Sequence, residues 1–167
     1  VASRTYPARE VNPDDVRDRL QLAHPDWNEY HEAVLYAILG TRSAARFQVA
    51  ASEAILSALK ADRESGYIVT AGTGSGKTLA FYLPAFLDLA DSLSSLVRTT
   101  TTHTLALYPR VELLRDQARE CLRMSRRVFA ASSPHGMRPA RVGLLYARVP
   151  WSAADLARNS KRYGWRQ

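Results

Sequence analysis

The chain has 167 residues, 46% of them hydrophobic and 23% charged, with a formal net charge of +7. These values fit one globular domain with a sizeable core and exclude wholesale disorder. No apolar run is long enough to cross a membrane, the first residues lack a signal-peptide core, and the single cysteine, Cys121, excludes an internal disulfide or a cysteine metal cluster. A soluble cytoplasmic protein with a polyanionic partner and no membrane attachment is expected. The chain starts at Val1 and stops at Gln167 without a terminating signal, so it reads as a piece of a longer protein.

Residues 1 to 11 show no periodicity. Asn12-Pro13-Asp14-Asp15 is a helix start, with Asn12 as cap, proline in the first turn and acids on the positive dipole end; the helix should end near Ala23, before Pro25. A second helix is expected from Asp26, where Asp26 and Glu29 have capping-box spacing, with Trp27, Tyr30, Val34, Leu35 and Ile38 as an apolar stripe ending at Gly40. Ser43 is placed as the cap of a third helix burying Phe47, Ala51, Ala54, Ile55, Ala58 and Leu59, followed by a polar turn over 62–66.

From Tyr67 the rhythm becomes strand, loop, helix. Tyr67-Ile68-Val69-Thr70 reads as a short buried strand, and Ala71-Gly72-Thr73-Gly74-Ser75-Gly76-Lys77-Thr78 reads as a P-loop. Its glycines let the backbone turn and aim N–H groups inward, while the next helix adds unpaired amides and a positive dipole end. Thr73, Gly74, Ser75, Gly76, Lys77 and Thr78 are the expected ATP-phosphate ligands. Lys77 reaches the terminal phosphates and the Thr78 hydroxyl coordinates Mg²⁺, so these two carry the catalytic assignment.

The following helix should run to about Ala90, bent at Pro84, before a serine- and threonine-rich loop over 92–102. His103 to Tyr108 reads as a second strand, Arg110 to Ala130 as a long helix, Ser132 to Pro139 as a loop and Arg141 to Tyr146 as a third strand. Ser152 and Asp155 have the spacing to open a last helix. Strands alternating with helices imply right-handed βαβ units and a parallel sheet, so the fold class is α/β. The division is an N-terminal helical extension over 1–43 and a partial ATP-binding domain over 44–167.

Tyr108-Pro109-Arg110-Val111-Glu112-Leu113-Leu114-Arg115-Asp116-Gln117 supplies a second motif. Together with the P-loop it resembles the superfamily 2 helicases of the DEAD/DEAH-box type, whose motif I is followed one helix later by motif Ia. Pro109, Leu113, Asp116 and Gln117 match one form of motif Ia, with Arg110 in place of the family's threonine. The flavour is similar to bacterial mitomycin-repair helicases and large phage-defence helicases. The resemblance covers roughly residues 44 to 147 and implies a RecA-like parallel sheet and an ATP-dependent helicase or translocase using ATP and Mg²⁺. It implies Pro109, Arg110 and Gln117 on the nucleic-acid backbone, DNA ahead of RNA, and Gln48 on the adenine edge. It also implies a second RecA-like domain, with room for other subunits, and a role in anti-phage defence or DNA repair.

Downstream of Tyr146 there is no Asp-Glu-x-His or Asp-Glu-x-Asp box, no Ser-Ala-Thr motif and no second-domain motif supplying an arginine finger. Phosphoryl transfer needs such a carboxylate and arginine, so this segment should bind ATP and hydrolyse it poorly alone. Two other classes fit a P-loop: a phosphotransferase or kinase acting on a small molecule, against which motif Ia argues, and a non-catalytic scaffold, against which the retained Lys77 and Thr78 argue.

Arg115, Arg119, Arg123 and Arg127 recur at four-residue spacing, as a phosphate-tracking stripe would; Glu112, Asp116 and Glu120 precede three of them by three residues, which favours paired surface charges. Arg126 and Arg127 are left for nucleic acid. Trp27, Tyr30 and Tyr36 are better explained by packing than by base stacking. His24, His31, His103 and His135 show no ligand spacing and receive no role. Trp151 and Trp165 flank a basic segment, 158–162, with no assigned function.

Overall fold

A computed structural model describes residues 7–61, 64–72, 74–95, 101–145 and positions 152, 154, 155, 157 and 158. The described order is β1 (Arg9–Val11), α1 (Pro13–Ala23), α2 (Glu29–Leu39), β2 (Ala44–Ala45), α3 (Arg46–Lys60), α4 (Lys77–Ser94), α5 (Val111–Ser132) and a 3-10 turn over Ser133–His135. Strands β1 and β2 form an antiparallel ribbon, Arg9 opposite Ala45 and Val11 opposite Ala44 with an irregularity between. The ribbon lays the start of the chain beside the start of α3.

Local chemistry sets the helix ends. Asn12 caps α1, its Oδ1 accepting from the Asp15 amide at 2.9 Å. Helix α2 starts two residues later than expected. Its cap is Asn28, whose Oδ1 accepts from the Tyr30 amide at 3.0 Å, while His31 Nδ1 accepts from the Asn28 amide at 3.2 Å. Asp26 serves instead as a support, its carbonyl accepting from Asn28 Nδ2. Gly40 ends the helix at φ 60°, donating its amide to Tyr36 O at 2.8 Å.

Helix α3 departs further from expectation. Its cap position is Ala45, not Ser43, and the Ala45 amide is satisfied by Gln48 Oε1 at 2.8 Å. The buried face is Gln48, Val49, Ser52, Leu56 and Ala58, whereas Phe47, Ala51, Ala54 and Ile55 are half-buried and Leu59 is exposed. Two polar residues, Gln48 and Ser52, occupy the inward stripe, and an apolar-only template rotates the helix away from them. At the other end of the chain, Ser152 Oγ accepts from the Asp155 amide at 3.1 Å, as the capping spacing predicts.

The core is made by helices. Helix α3 packs on α4, α2 lies against both α4 and α5, and α1 rests on α3. Val16 and Leu20 of α1, Val34, Leu35 and Ile38 of α2, Val49 and Leu56 of α3, Leu83 and Leu87 of α4, and Val128 of α5 join one buried cluster. Each fully buried leucine contributes about 1.5–3 kcal/mol relative to exposure. Pro84 is buried inside α4, where it removes the bond to the Ala80 carbonyl and its ring crowds that carbonyl.

The three expected strands are the main correction. Tyr67–Thr70, His103–Tyr108 and Arg141–Leu145 form no ladder, and the described sheet has two strands; Tyr146 lies outside the described residues. Ile68 is 92% exposed, Leu105 77%, Leu107 82% and Leu145 85%. A parallel strand needs neighbours on its edges and helices on both faces. Among the described residues these segments have no such edge partners, and their apolar side chains stay at the surface. The fold is α/β in the coarse sense of helices with a small sheet. Among the described residues no helix is long and apolar enough to cross a membrane.

Candidate nucleotide site and motif Ia

The glycine loop leads directly into α4. Gly74 has φ 80° and Gly76 φ 83°, left-handed values that only glycine adopts without strain. A turn closes from the Ser75 amide to the Gly72 carbonyl at 3.3 Å. Helix α4 begins at Lys77 with no side-chain cap and no acid in its first turn, so its first amides and dipole end have no built-in anion. That combination suits a phosphate group. Lys77 Nζ donates to the carbonyls of Ala71 at 2.6 Å and Gly72 at 2.9 Å, drawn back over the loop it would share with a phosphate. Thr78 is half-buried in the first turn, and Ser75 is buried with its Oγ lacking a hydrogen bond. Thr73 lies outside the described residues.

Gln48 sits against this loop and is buried. Its carboxamide spans two elements: Oε1 accepts from Ala45 and Nε2 donates to Gly76 O at 2.7 Å. A side chain at position 76 would place Cβ 2.7 Å from Gln48 Nε2 and push the carboxamide aside, while the φ of 83° is what calls for glycine there. A cleft of about 240 Å³ opens beside the contact, lined by Arg9, Arg42, Ser43, Gln48, Gly76 and Thr78 among others. Gln48 thus lies where the loop, α3 and this cleft meet.

Motif Ia stands at the start of α5. Pro109 and Arg110 are exposed, Arg110 is the N-cap residue, and Gln117 is half-buried two turns on. The link to the glycine loop is Tyr82, one turn into α4, which sequence reasoning passed over. Its hydroxyl lies 3.1 Å from the Tyr108 hydroxyl and donates to Gln117 O at 3.1 Å. Burial, then the Tyr108 contact, pushes the Tyr82 phenol up, so it stays a neutral donor. No spacing rule reveals this contact, because it joins residues 26 and 35 positions apart.

On α5, Arg115, Arg119, Arg123, Arg126 and Arg127 are all exposed. Asp116 pairs with Arg119 at 3.3 Å and Glu120 with Arg123 at 3.6 Å, the surface pairing that the three-residue spacing suggested. Such pairs contribute about 0.3–0.5 kcal/mol each. Trp27 and Tyr30 pack against the core, and the Tyr30 hydroxyl donates to His135 O at 2.8 Å. Tyr36 donates to Asp14 Oδ1. Arg158 is exposed, and Trp151, Trp165 and the rest of that basic segment lie outside the described residues.

Two histidines given no role are fully buried together. His24 ends α1, His31 lies in the first turn of α2, and both face Asp91 near the end of α4. His24 Nε2 is 3.3 Å from Asp91 Oδ2 and His31 Nε2 is 3.0 Å from Asp91 Oδ1, so both rings face the one carboxylate at ion-pair distance. Lys60, the last residue of α3, pairs with Asp91 Oδ2. Their separation along the chain hides the group from any motif search.

A left-handed glycine loop feeding an uncapped helix that begins Lys-Thr is the signature of the P-loop class of nucleotide-binding proteins. The family model for the DEAD/DEAH box helicase matches residues 46–141. That is more than half of the chain, which therefore belongs to the DEAD/DEAH box helicase family, a family of ATP-dependent helicases that use Mg²⁺ and bind nucleic acid. No curated protein and no solved structure gives a significant match.

Proposed function

We propose that this chain is the ATP-binding part of an ATP-dependent nucleic-acid helicase or translocase. The observation that carries the reading is the family match over 46–141 spanning both the glycine loop and the motif Ia segment. The loop backbone, the uncapped start of α4 and Lys77 fit a polyphosphate. Thr73 to Thr78 would hold the phosphates of ATP and the Thr78 hydroxyl would ligate Mg²⁺, which when bound neutralises phosphate charge as the terminal phosphoryl group transfers. The base would lie in the cleft beside Gln48, with the free Nε2 hydrogen available to it.

Pro109, Arg110 and Gln117 would meet the backbone of a strand, DNA ahead of RNA, with the Arg110 guanidinium making a charge-assisted phosphate contact. Tyr82 ties that segment to the helix carrying Lys77 and Thr78, so phosphate and strand sites move together. In the working enzyme the segments 67–70, 103–108 and 141–146 would pair as parallel strands of a RecA-like domain. A second such domain, in a cytoplasmic protein serving anti-phage defence or DNA repair, would supply the arginine. This chain alone would bind ATP and turn it over poorly, because it carries no Asp-Glu box.

The test is Mg²⁺-dependent ATP binding by calorimetry, with Lys77→Ala as control, followed by ATP turnover of a longer protein containing this chain, with and without single-stranded DNA. Binding lost in the control and turnover raised by DNA is the expected result. Absence of ATP binding to the unaltered chain refutes the reading. Turnover indifferent to nucleic acid sinks the helicase and favours a phosphotransferase.

A further inference from the structure

We propose that His24, His31 and Asp91 form a binding site for a divalent d-block cation, zinc above all, at the joint between the N-terminal helices and α4. One ligand atom from each of His24, His31 and Asp91 lies within 4.8 Å of the other two. In a tetrahedral zinc site with bonds of about 2.0–2.1 Å, neighbouring ligand atoms stand roughly 3.3 Å apart. His24 Nε2 stands 3.3 Å from Asp91 Oδ2 and His31 Nε2 3.0 Å from Oδ1, close to that spacing on the two oxygens of one carboxylate.

Both imidazoles are fully buried, their rings 4.2 Å apart, and both Nε2 atoms lack a hydrogen bond. Buried polar atoms without partners are costly, and a shared cation would satisfy both at once. Binding an ion at Nε2 puts the His31 proton on Nδ1, so the bond that Nδ1 accepts from the Asn28 amide gives way to one donated to Asn28 Oδ1, 2.9 Å away.

Ligand type and access fit as well. Two nitrogens and one carboxylate select zinc, cobalt or nickel over magnesium and calcium. The Asp91 side chain is 33% exposed and gives an ion its entry. Lys60 opposes the ion, since its ammonium sits on the same carboxylate; its side chain is 19% exposed and can leave toward water.

The experiment uses the 167-residue chain, stripped with chelator and titrated with Co²⁺ and then Zn²⁺. One equivalent of Co²⁺ should give visible ligand-field absorption that Zn²⁺ displaces, and His24→Gln and Asp91→Asn should abolish it. Lys60→Met should tighten binding roughly tenfold or more, because it removes a positive charge next to a dication. The last variant separates a metal site from an ion-pair network, which would lose stability and gain no affinity. Absence of absorption in both the unaltered chain and Lys60→Met overturns the proposal, whether or not the other variants fold. Absorption that survives in folded His24→Gln and Asp91→Asn also overturns it. Neither readout depends on ATP or nucleic acid.

Discussion

Removing the Gln48 carboxamide should loosen the glycine loop and destabilise the protein at once. In Gln48→Ala the Ala45 amide, on a fully buried residue, loses its acceptor at 2.8 Å, and an unsatisfied buried amide costs about 1–3 kcal/mol. The Gly76 carbonyl also loses its donor at 2.7 Å, but it borders the cleft, where water replaces the bond at small cost. The expected sum is a loss of about 2–3 kcal/mol, dominated by Ala45. Gln48→Glu separates the two bonds, since it keeps an acceptor for Ala45 and sets a carboxylate against the Gly76 carbonyl. It should fold better than Gln48→Ala yet bind nucleotide phosphates worse. Urea unfolding followed by circular dichroism reads stability, and calorimetry with ATP and GTP reads binding. An unchanged unfolding midpoint in Gln48→Ala, with only adenine preference lost, would refute the clamp and leave Gln48 as a base reader alone.

Three further outcomes are expected. Tyr82→Phe should cost about 1 kcal/mol in urea unfolding and speed amide exchange across residues 108–117; unaltered exchange there would mean that the hydroxyl does not hold motif Ia. Leu83→Ala, at a fully buried position of α4, should cost about 2–5 kcal/mol, and a loss under 1 kcal/mol would contradict the helical core. Burial pushes the Cys121 thiol up, so less of it is thiolate at pH 8 than in free cysteine. Alkylation should be slower by roughly tenfold in the folded chain and recover in urea, whereas equal rates would place Cys121 outside the core.

The parts of the fold visible in the sequence were those decided by neighbours a few residues apart. Asn12 before Pro13 marked α1, Gly40 marked the end of α2, and Lys77 after Gly76 marked the start of α4. The α2 start was misplaced because Asp26 and Asn28 are both acceptable caps, and the choice fell to His31, whose ring nitrogen takes the place usually held by a glutamate. The face of α3 was misjudged because Gln48 and Ser52 are polar yet buried. The apolar runs at 67–70, 103–108 and 141–145 carry strand composition, but composition does not supply a partner, and pairing is a long-range event. Distance along the chain likewise concealed Tyr82 beside Tyr108, and Asp91 beside His24 and His31.

Helix α4 behaves as a single strut. Lys77 is its first residue, Tyr82 lies on its flank, and Asp91 stands near its far end, about 21 Å away at 1.5 Å per residue. The helix that leaves the glycine loop is therefore anchored at its far end to the N-terminal helices, through Asp91 against His24 of α1, His31 of α2 and Lys60 of α3. Pro84, with one rung of the helical ladder missing, is the point where the strut can flex.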